Sequence, residues 1–321
     1  MVDGAYAFAA LVLVAASALA WRASSRRLGR GLGAILAGLA LFPGVSAVWI
    51  ASGRFRPAPA PFRREIAPRV WLEREVLRSP RPAVLHWLEV GLGAESPRLH
   101  IRAPDLPDGR FRARTPQAYL QETGFEVALS LSYFYPIHET FVWWSYPRPG
   151  DPITAVGRHC SAGACFGEPW TGARVYLTPL PTGSGTSVST VAPARLHHAV
   201  EGRGFLLGKD RRPADGDFDD HPYPRTVLGL MRSSRDAEVV LGALVVDGKQ
   251  PGYSEGLTME EVRAQLTRRG FLWALELDGG GSAALAGMSA AGRPQLLSSP
   301  SHTHVPGRAR PVALFLAVEV P

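Results

Sequence analysis

Cysteine is nearly absent, with two residues in a chain of 321. Cys160 and Cys165, in HCSAGACFG, cannot build a disulfide framework, and with His159 beside them they fall short of a structural zinc site. A close pair around Gly163 suits one small disulfide loop and an oxidising compartment, with two reduced thiols as the alternative. Gly-Lys-Ser/Thr is missing, which excludes a phosphate-cradling P-loop. The net charge of +7 comes with no nucleic-acid motif, so nucleic acid is not an expected partner. Asp215, Asp217, Asp219 and Asp220 lack the spacing and closing glutamate of an EF-hand, and RRPADGDFDDHPYP reads as a solvated loop. No repeat or low-complexity break divides residues 70–321, which read as one domain.

Charge is also missing from residues 4–21 and again from 31–53. Each run reaches the roughly 18–20 residues that a helix needs to cross a bilayer. Asp3 is the only charge before the first run, whereas a cleaved signal peptide begins with basic residues. The expectation is therefore a transmembrane helical hairpin over 1–55 that makes membrane lipid a partner. Arg22, Arg26, Arg27 and Arg30 put the connecting loop in the cytoplasm and the C-terminal domain on the extracytoplasmic side. Arg54, Arg56, Arg63, Arg64 and Arg69 follow the second run and dilute that asymmetry. Pro57, Pro59 and Pro61 make residues 56–69 a stiff, extended linker.

What is present is a series of strands with few helices. VWLEREVL, AVLHWLEVGL and LHIRAPD read as early strands, and FEVALSLSYF as a central one. TPQAYLQETG is a short helix capped by Thr115 and stopped at Gly124. PLPTGSGTSVSTVAPARL reads as a mobile surface loop. EVVLGALVV (238–246) is a buried strand. Thr258 and Glu261 then form a capping box, and Met259, Val262 and Leu266 share one helical face. FLWALEL (271–277) is a second strand. Strand, helix, strand is a crossover whose two strands run parallel. The expected fold is mixed α+β or α/β, a single domain with a mixed sheet containing this βαβ unit, preceded by the membrane hairpin.

Each of these two strands stops on aspartate followed by glycine. Ligands of open sheets with such crossovers bind beyond the carboxyl ends of the strands, which is where Asp247 and Asp278 fall. Gly279-Gly280-Gly281-Ser282 follows, and successive glycines let backbone N–H groups converge on an anion. A flexible turn is the bland alternative.

PRTVLGL (224–230), VVDGKQPGYSEGLTMEEV (245–262) and LELDGGGSAAL (275–285) together resemble the phosphodiester glycosidase family. VALSLSYFYP (127–136) and GRARPVALFLAV (307–318) resemble it more weakly. The resemblance implies hydrolysis of the glycosidic bond of a sugar-1-phosphodiester, in a cell-envelope or extracellular glycan. It implies that Arg225, Thr226, Gly248, Gln250, Ser254, Thr258 and Gly279, Gly280, Gly281 and Ser282 bind substrate, with Asp247 and Asp278 as catalytic carboxylates. Glu276, two positions before Asp278 on the same strand face, is a further catalytic candidate read from the strand alternation. The family usually has asparagine at the position of Glu276, and an asparagine or another polar residue at that of Ser130. Two carboxylates as close as Glu276 and Asp278 repel, which calls for a shared proton or a cation between them. A divalent cation stays open and its ligands unassigned. So do two other functions: a metal-dependent phosphodiesterase that cuts P–O, and a glycan-phosphate binding protein without catalysis.

Overall fold

The runs of apolar residues become strands buried on both faces. In Ala83–Val90 every residue is buried, and in Val239–Val246 every residue but the first. The computed structural model describes residues 56–138, 145–208, 217–233, 235–236 and 238–320, with Val12, Val14 and Ala15. Seven strands form the main sheet, in the spatial order Phe62–Ala67, Val70–Leu77, Ala83–Val90, Val239–Val246, Arg225–Arg232, Phe271–Glu276 and Gly204–Leu207. All neighbours are antiparallel. The helix Met259–Arg268 covers one face, burying Met259, Val262 and Leu266 with Val227, Leu244 and Ala274. The other face packs Leu228, Val245 and Leu275 into a core shared with two five-stranded sheets.

One of those sheets runs Pro294–Leu296, Leu285–Met288, Val127–Ser130, Phe315–Glu319 and Arg98–Ile101. Val127–Ser130 is its middle strand, in line with the central position read from FEVALSLSYF. The other runs Ala164–Phe166, His159–Ser161, His198–Glu201, Arg174–Pro179 and Thr186–Ser189. Cys160 and Cys165 face each other across its first pair and form a disulfide. Phe111–Arg112, Pro152–Ala155 and Phe134–Tyr135 make a small third layer. Both helix caps form as the sequence predicts. Thr115 caps Pro116–Thr123, which ends on left-handed Gly124, and Thr258 and Glu261 complete a reciprocal capping box.

The expected fold class is corrected. The chain is dominated by antiparallel strands, and the sheet contains no adjacent parallel pair joined by the helix. Val239–Val246 and Phe271–Glu276 do point the same way, but each pairs with Arg225–Arg232, which fills the slot between them. Burial on both faces gives antiparallel strands the continuous apolar composition usual for parallel ones. Two local readings change as well. Thr186–Ser189, inside the expected mobile loop, is a strand paired with Arg174–Pro179. Phe62–Ala67, inside the expected linker, is the edge strand of the main sheet.

The membrane localisation is corrected too. Among the described residues no helix is long and apolar enough to cross a membrane, so the two-span anchor with an extracytoplasmic domain has no support. Apart from Val12, Val14 and Ala15, the expected spans 4–21 and 31–53 lie outside the described residues.

Candidate active site

The two Asp-Gly strand ends meet at one residue. Because their strands flank Arg225–Arg232, the turns at 247–248 and 278–279 reach the same sheet edge on either side of Pro224. A Cβ on Gly248 would stand 2.8 Å from the Pro224 nitrogen, and one on Gly279 2.6 Å from the Pro224 carbonyl oxygen. No side chain fits either gap, which accounts for glycine after each aspartate. The Gly280 N–H then donates to the same Pro224 carbonyl at 3.0 Å, and Gly280 takes φ +60° beneath the Tyr223 hydroxyl.

The aspartates themselves have different surroundings. Asp247 continues the face of Val245 and is buried. Its Oδ2 lies 2.8 Å from His86 Nε2 and accepts from the Tyr253 hydroxyl at 3.2 Å, while Oδ1 accepts the Ser299 N–H at 2.7 Å. Burial, and then the Asp247 charge, push the Tyr253 phenol well up. Asp278 is half-buried at the rim, and its N–H donates to the Leu131 carbonyl at 3.0 Å.

Glu276 lies on the helix-covered face with Ala274 and Val227, its direct cross-strand partner. It is buried between two guanidinium groups: Arg203 Nη1 at 3.4 Å and Arg225 Nη1 at 3.8 Å. Arg203 also holds Asp219 at 3.0 Å. Arg225 is buried, donating from Nε to the Leu257 carbonyl and from Nη2 to the His221 carbonyl. Burial lowers its pKa, against the pull of Glu276 and Asp219. The Tyr133 hydroxyl donates to the Leu277 carbonyl at 3.2 Å, and burial with Glu276 and Asp278 nearby raises its pKa well above that of an ordinary phenol.

The remaining residues expected at the site fall into two groups. Gln250, Ser254 and Thr258 brace the backbone. The Gln250 amide donates to the Ser299 and Gly248 carbonyls, the Ser254 hydroxyl links Asp247 to Val84, and Thr258 caps its helix. Gly280, Gly281 and Ser282 form a short 3-10 turn, where Arg310 donates to the Ser282 hydroxyl at 3.0 Å. A Cβ on Gly281 would meet that guanidinium at 2.7 Å. Thr226 is buried, and among the described residues its hydroxyl has no partner; the same holds for Ser130 and Ser132. All three lie next to or at the strand positions that receive Leu277 and Asp278, through the Thr226 and Leu131 carbonyls. Buried hydroxyls left this way suit ligand hydroxyls or water. Among the described residues no group of three His, Cys, Asp or Glu side chains could hold a metal ion.

Sequence reasoning missed Arg203, Asp219, His86, Lys249 and Arg310. Asp219 belongs to an acidic run that reads as solvated, yet it is buried. Arg203 is visible only through the pairing of Gly204 with Glu276. Lys249 was legible within the VVDGKQPG segment. Its Nζ sits 4.4 Å from the centre of the Tyr223 ring, which also lies 5.5 Å from the Arg225 guanidinium. His302, two residues before His304, is buried and accepts from Arg310 at 3.3 Å.

A layered antiparallel β-protein with carboxylates, guanidinium groups and a glycine turn at one sheet edge is suited to an anionic, hydroxyl-rich substrate. Residues 169–319 match the family model described as phosphodiester glycosidase. This match supports a glycosidase-type function. The zebrafish N-acetylglucosamine-1-phosphodiester alpha-N-acetylglucosaminidase catalytic domain, auto-inhibited by its pro-peptide, is similar over 82% of this chain and 84% of its own. The identity is 18% and the TM-score 0.51. A hypothetical protein from Synechocystis is similar over 82% of this chain and 64% of its own, at 13% identity and TM-score 0.51. At these identities the likeness shows the fold alone. No curated protein matches the chain.

Proposed function

We propose that the protein hydrolyses the carbon–oxygen bond between a sugar and a phosphodiester, with Asp278 as the reacting carboxylate. The observation behind this reading is the contrast in exposure. Asp278 is half-buried on the glycine turn, whereas Glu276 and Asp247 are buried and surrounded by donors. Departure of the phosphate leaves oxocarbenium character on the sugar, which a carboxylate near the anomeric carbon stabilises as nucleophile or as base toward water. The leaving phosphate monoester is a weak base and needs charge stabilisation more than a proton. Lys249 and Arg310 flank the turn and suit that task. Arg225 and Arg203 neutralise Glu276, so that its charge does not oppose Asp278. Asp247 holds the neighbouring turn through His86 and Ser299. The hydroxyls of Thr226, Ser130 and Ser132 are available to order water or sugar hydroxyls. The name of the zebrafish enzyme specifies an N-acetylglucosamine-1-phosphodiester, which makes a sugar of that class the first substrate to try.

Turnover of a sugar-1-phosphodiester in isotopically labelled water tests the reaction. Label in the sugar agrees with carbon–oxygen cleavage. Label in the phosphate means P–O cleavage, and no turnover of any sugar-1-phosphodiester leaves a binding protein.

A further inference from the structure

Beside Tyr133 the surface opens into a cavity of about 520 Å³. Phe111 and Phe166 are among its lining residues and meet edge to face at 5.4 Å. Two large rings in the same lining stay open to solvent, Trp170 at 45% and Tyr135 at 56% exposure. Exposed aromatic rings are costly to keep in water, and here they are also held in place. The buried Glu201 carboxylate accepts the N–H groups of Trp170, Thr171 and Gly172 at 3.1, 2.7 and 2.5 Å, fixing the loop that carries the indole. Tyr135 is pinned by strand pairing with Thr154. Charged residues alternate with the rings: Arg110, itself paired with Asp108 at 2.7 Å, and Glu168.

We propose that this cavity is a carbohydrate subsite, with the faces of Trp170 and Tyr135 stacking on pyranose rings and Arg110 and Glu168 binding their hydroxyls. A pyranose is apolar across its C–H faces and polar around its rim, which matches fixed rings separated by charged groups. A protein partner would call for a broader apolar patch. The proposal deepens the glycosidase reading and rests on it for the identity of the ligand. The cavity also adjoins the candidate site: the Trp170 ring meets Tyr133 edge to face at 5.1 Å, and the Tyr133 hydroxyl binds the carbonyl of Leu277, the residue before Asp278. One aromatic ring therefore separates the platform from the reacting carboxylate. The substrate is then an oligosaccharide or polymer, with one sugar at Asp278 and others on the platform.

The test is a fluorescence titration of the full chain with neutral and N-acetylated oligosaccharides of one to six units. Affinity should rise with length. Trp170→Ala should weaken binding of the longer oligosaccharides about tenfold, the scale of one lost stacking contact, while Trp170→Phe retains most of it. An unchanged melting temperature confirms that the variants fold. In turnover, Trp170→Ala should raise KM for a long phosphodiester substrate several-fold more than for a single-sugar phosphodiester. No binding by any oligosaccharide in the series, or equal binding by wild type and Trp170→Ala, overturns the subsite. Length-dependent binding lost in Trp170→Ala, without turnover of any phosphodiester, keeps the subsite and overturns the glycosidase reading. Turnover of single-sugar substrates with no oligosaccharide binding does the reverse.

Discussion

Glu276 and Arg225 stand diagonally across two neighbouring strands, Oε1 3.8 Å from Nη1, and both are buried. Neither charge has water to fall back on, and Arg203 and Asp219 extend the pair into an alternating chain of charges. Breaking one member of such a network leaves its buried partners with less compensation. Glu276→Gln is expected to destabilise the fold by about 2–4 kcal/mol, a loss set by the stranded guanidinium groups. Adding Arg203→Met should cost less than the sum of the two single changes, because each single change already loses the Arg203–Glu276 contact, which the double variant loses only once. Urea denaturation of the four proteins reads this directly. Additivity within about 0.5 kcal/mol would mean that the two side chains do not act together.

Asp278 and Asp247 should separate in their phenotypes. Asp278→Asn removes the half-buried carboxylate, and turnover is expected to fall by at least about a thousandfold with little change in stability. Asp247→Asn disturbs a closed set of donors, His86, Tyr253 and the Ser299 N–H, and should cost about 2–3 kcal/mol of stability. Melting curves and single-turnover rates on both variants check the split. An Asp278→Asn protein that keeps full turnover removes Asp278 from the reaction.

The sequence made the local pattern legible, whereas the sheet order was hidden from it. Thr258 with Glu261, and Thr115 with Gly124, are set by contacts within a few residues, and they form as read. The place of Arg225–Arg232 between Val239–Val246 and Phe271–Glu276 depends on which long-range pairing wins, and apolar composition alone cannot report that. The edge shared by Asp247 and Asp278 survived the error, because both strands point the same way whether or not a third lies between them. The division of their side chains between two environments did not show. Asp247 simply extends the face of Val245, but reading its partners requires His86, 161 residues away. Arg203 and Arg310 escaped for the same reason, since each reaches the site from a distant strand or loop.

Gly248 and Gly279 offer a test of the paired turns. A methyl group on either would overlap Pro224, at 2.8 Å from its nitrogen and 2.6 Å from its carbonyl oxygen. The contact atoms are backbone or part of a rigid ring, so relief must come from shifting one turn away from the Arg225 strand. Gly279→Ala is expected to destabilise by about 1–3 kcal/mol and to lower turnover as well, because Asp278 moves with the turn. Gly248→Ala should match it in stability with a smaller loss of turnover. Equal activity losses from the two changes would show that both turns position the reacting group.

His198 should give the protein an acid-sensitive element remote from the candidate site. The ring is buried, and its Nδ1 accepts the Ala162 N–H at 3.2 Å. His197 lies 4.2 Å away by ring centroid and His100 6.2 Å, the latter bound to Glu319 at 2.8 Å. Burial first, and then His197 and His100, bring the His198 pKa down from 6.5 to about 4. Above 6.5 the ring is neutral in both folded and unfolded chains, and the contribution to stability does not vary with pH. As pH falls from 6.5 toward 4 the unfolded chain takes up the proton more readily, so stability declines; below about 4 both forms are protonated and the decline stops. The loss attributable to this ring is on the order of 2–3 kcal/mol. His159, lowered by its own burial, adds to the same window, so the comparison must be differential. His198→Asn retains an acceptor for the Ala162 N–H without a titrating ring. Its melting temperature should fall less steeply than that of the wild type between pH 6.5 and 4, and run parallel to it above pH 7. Parallel curves across the whole range would mean that the buried ring does not drive the acid loss.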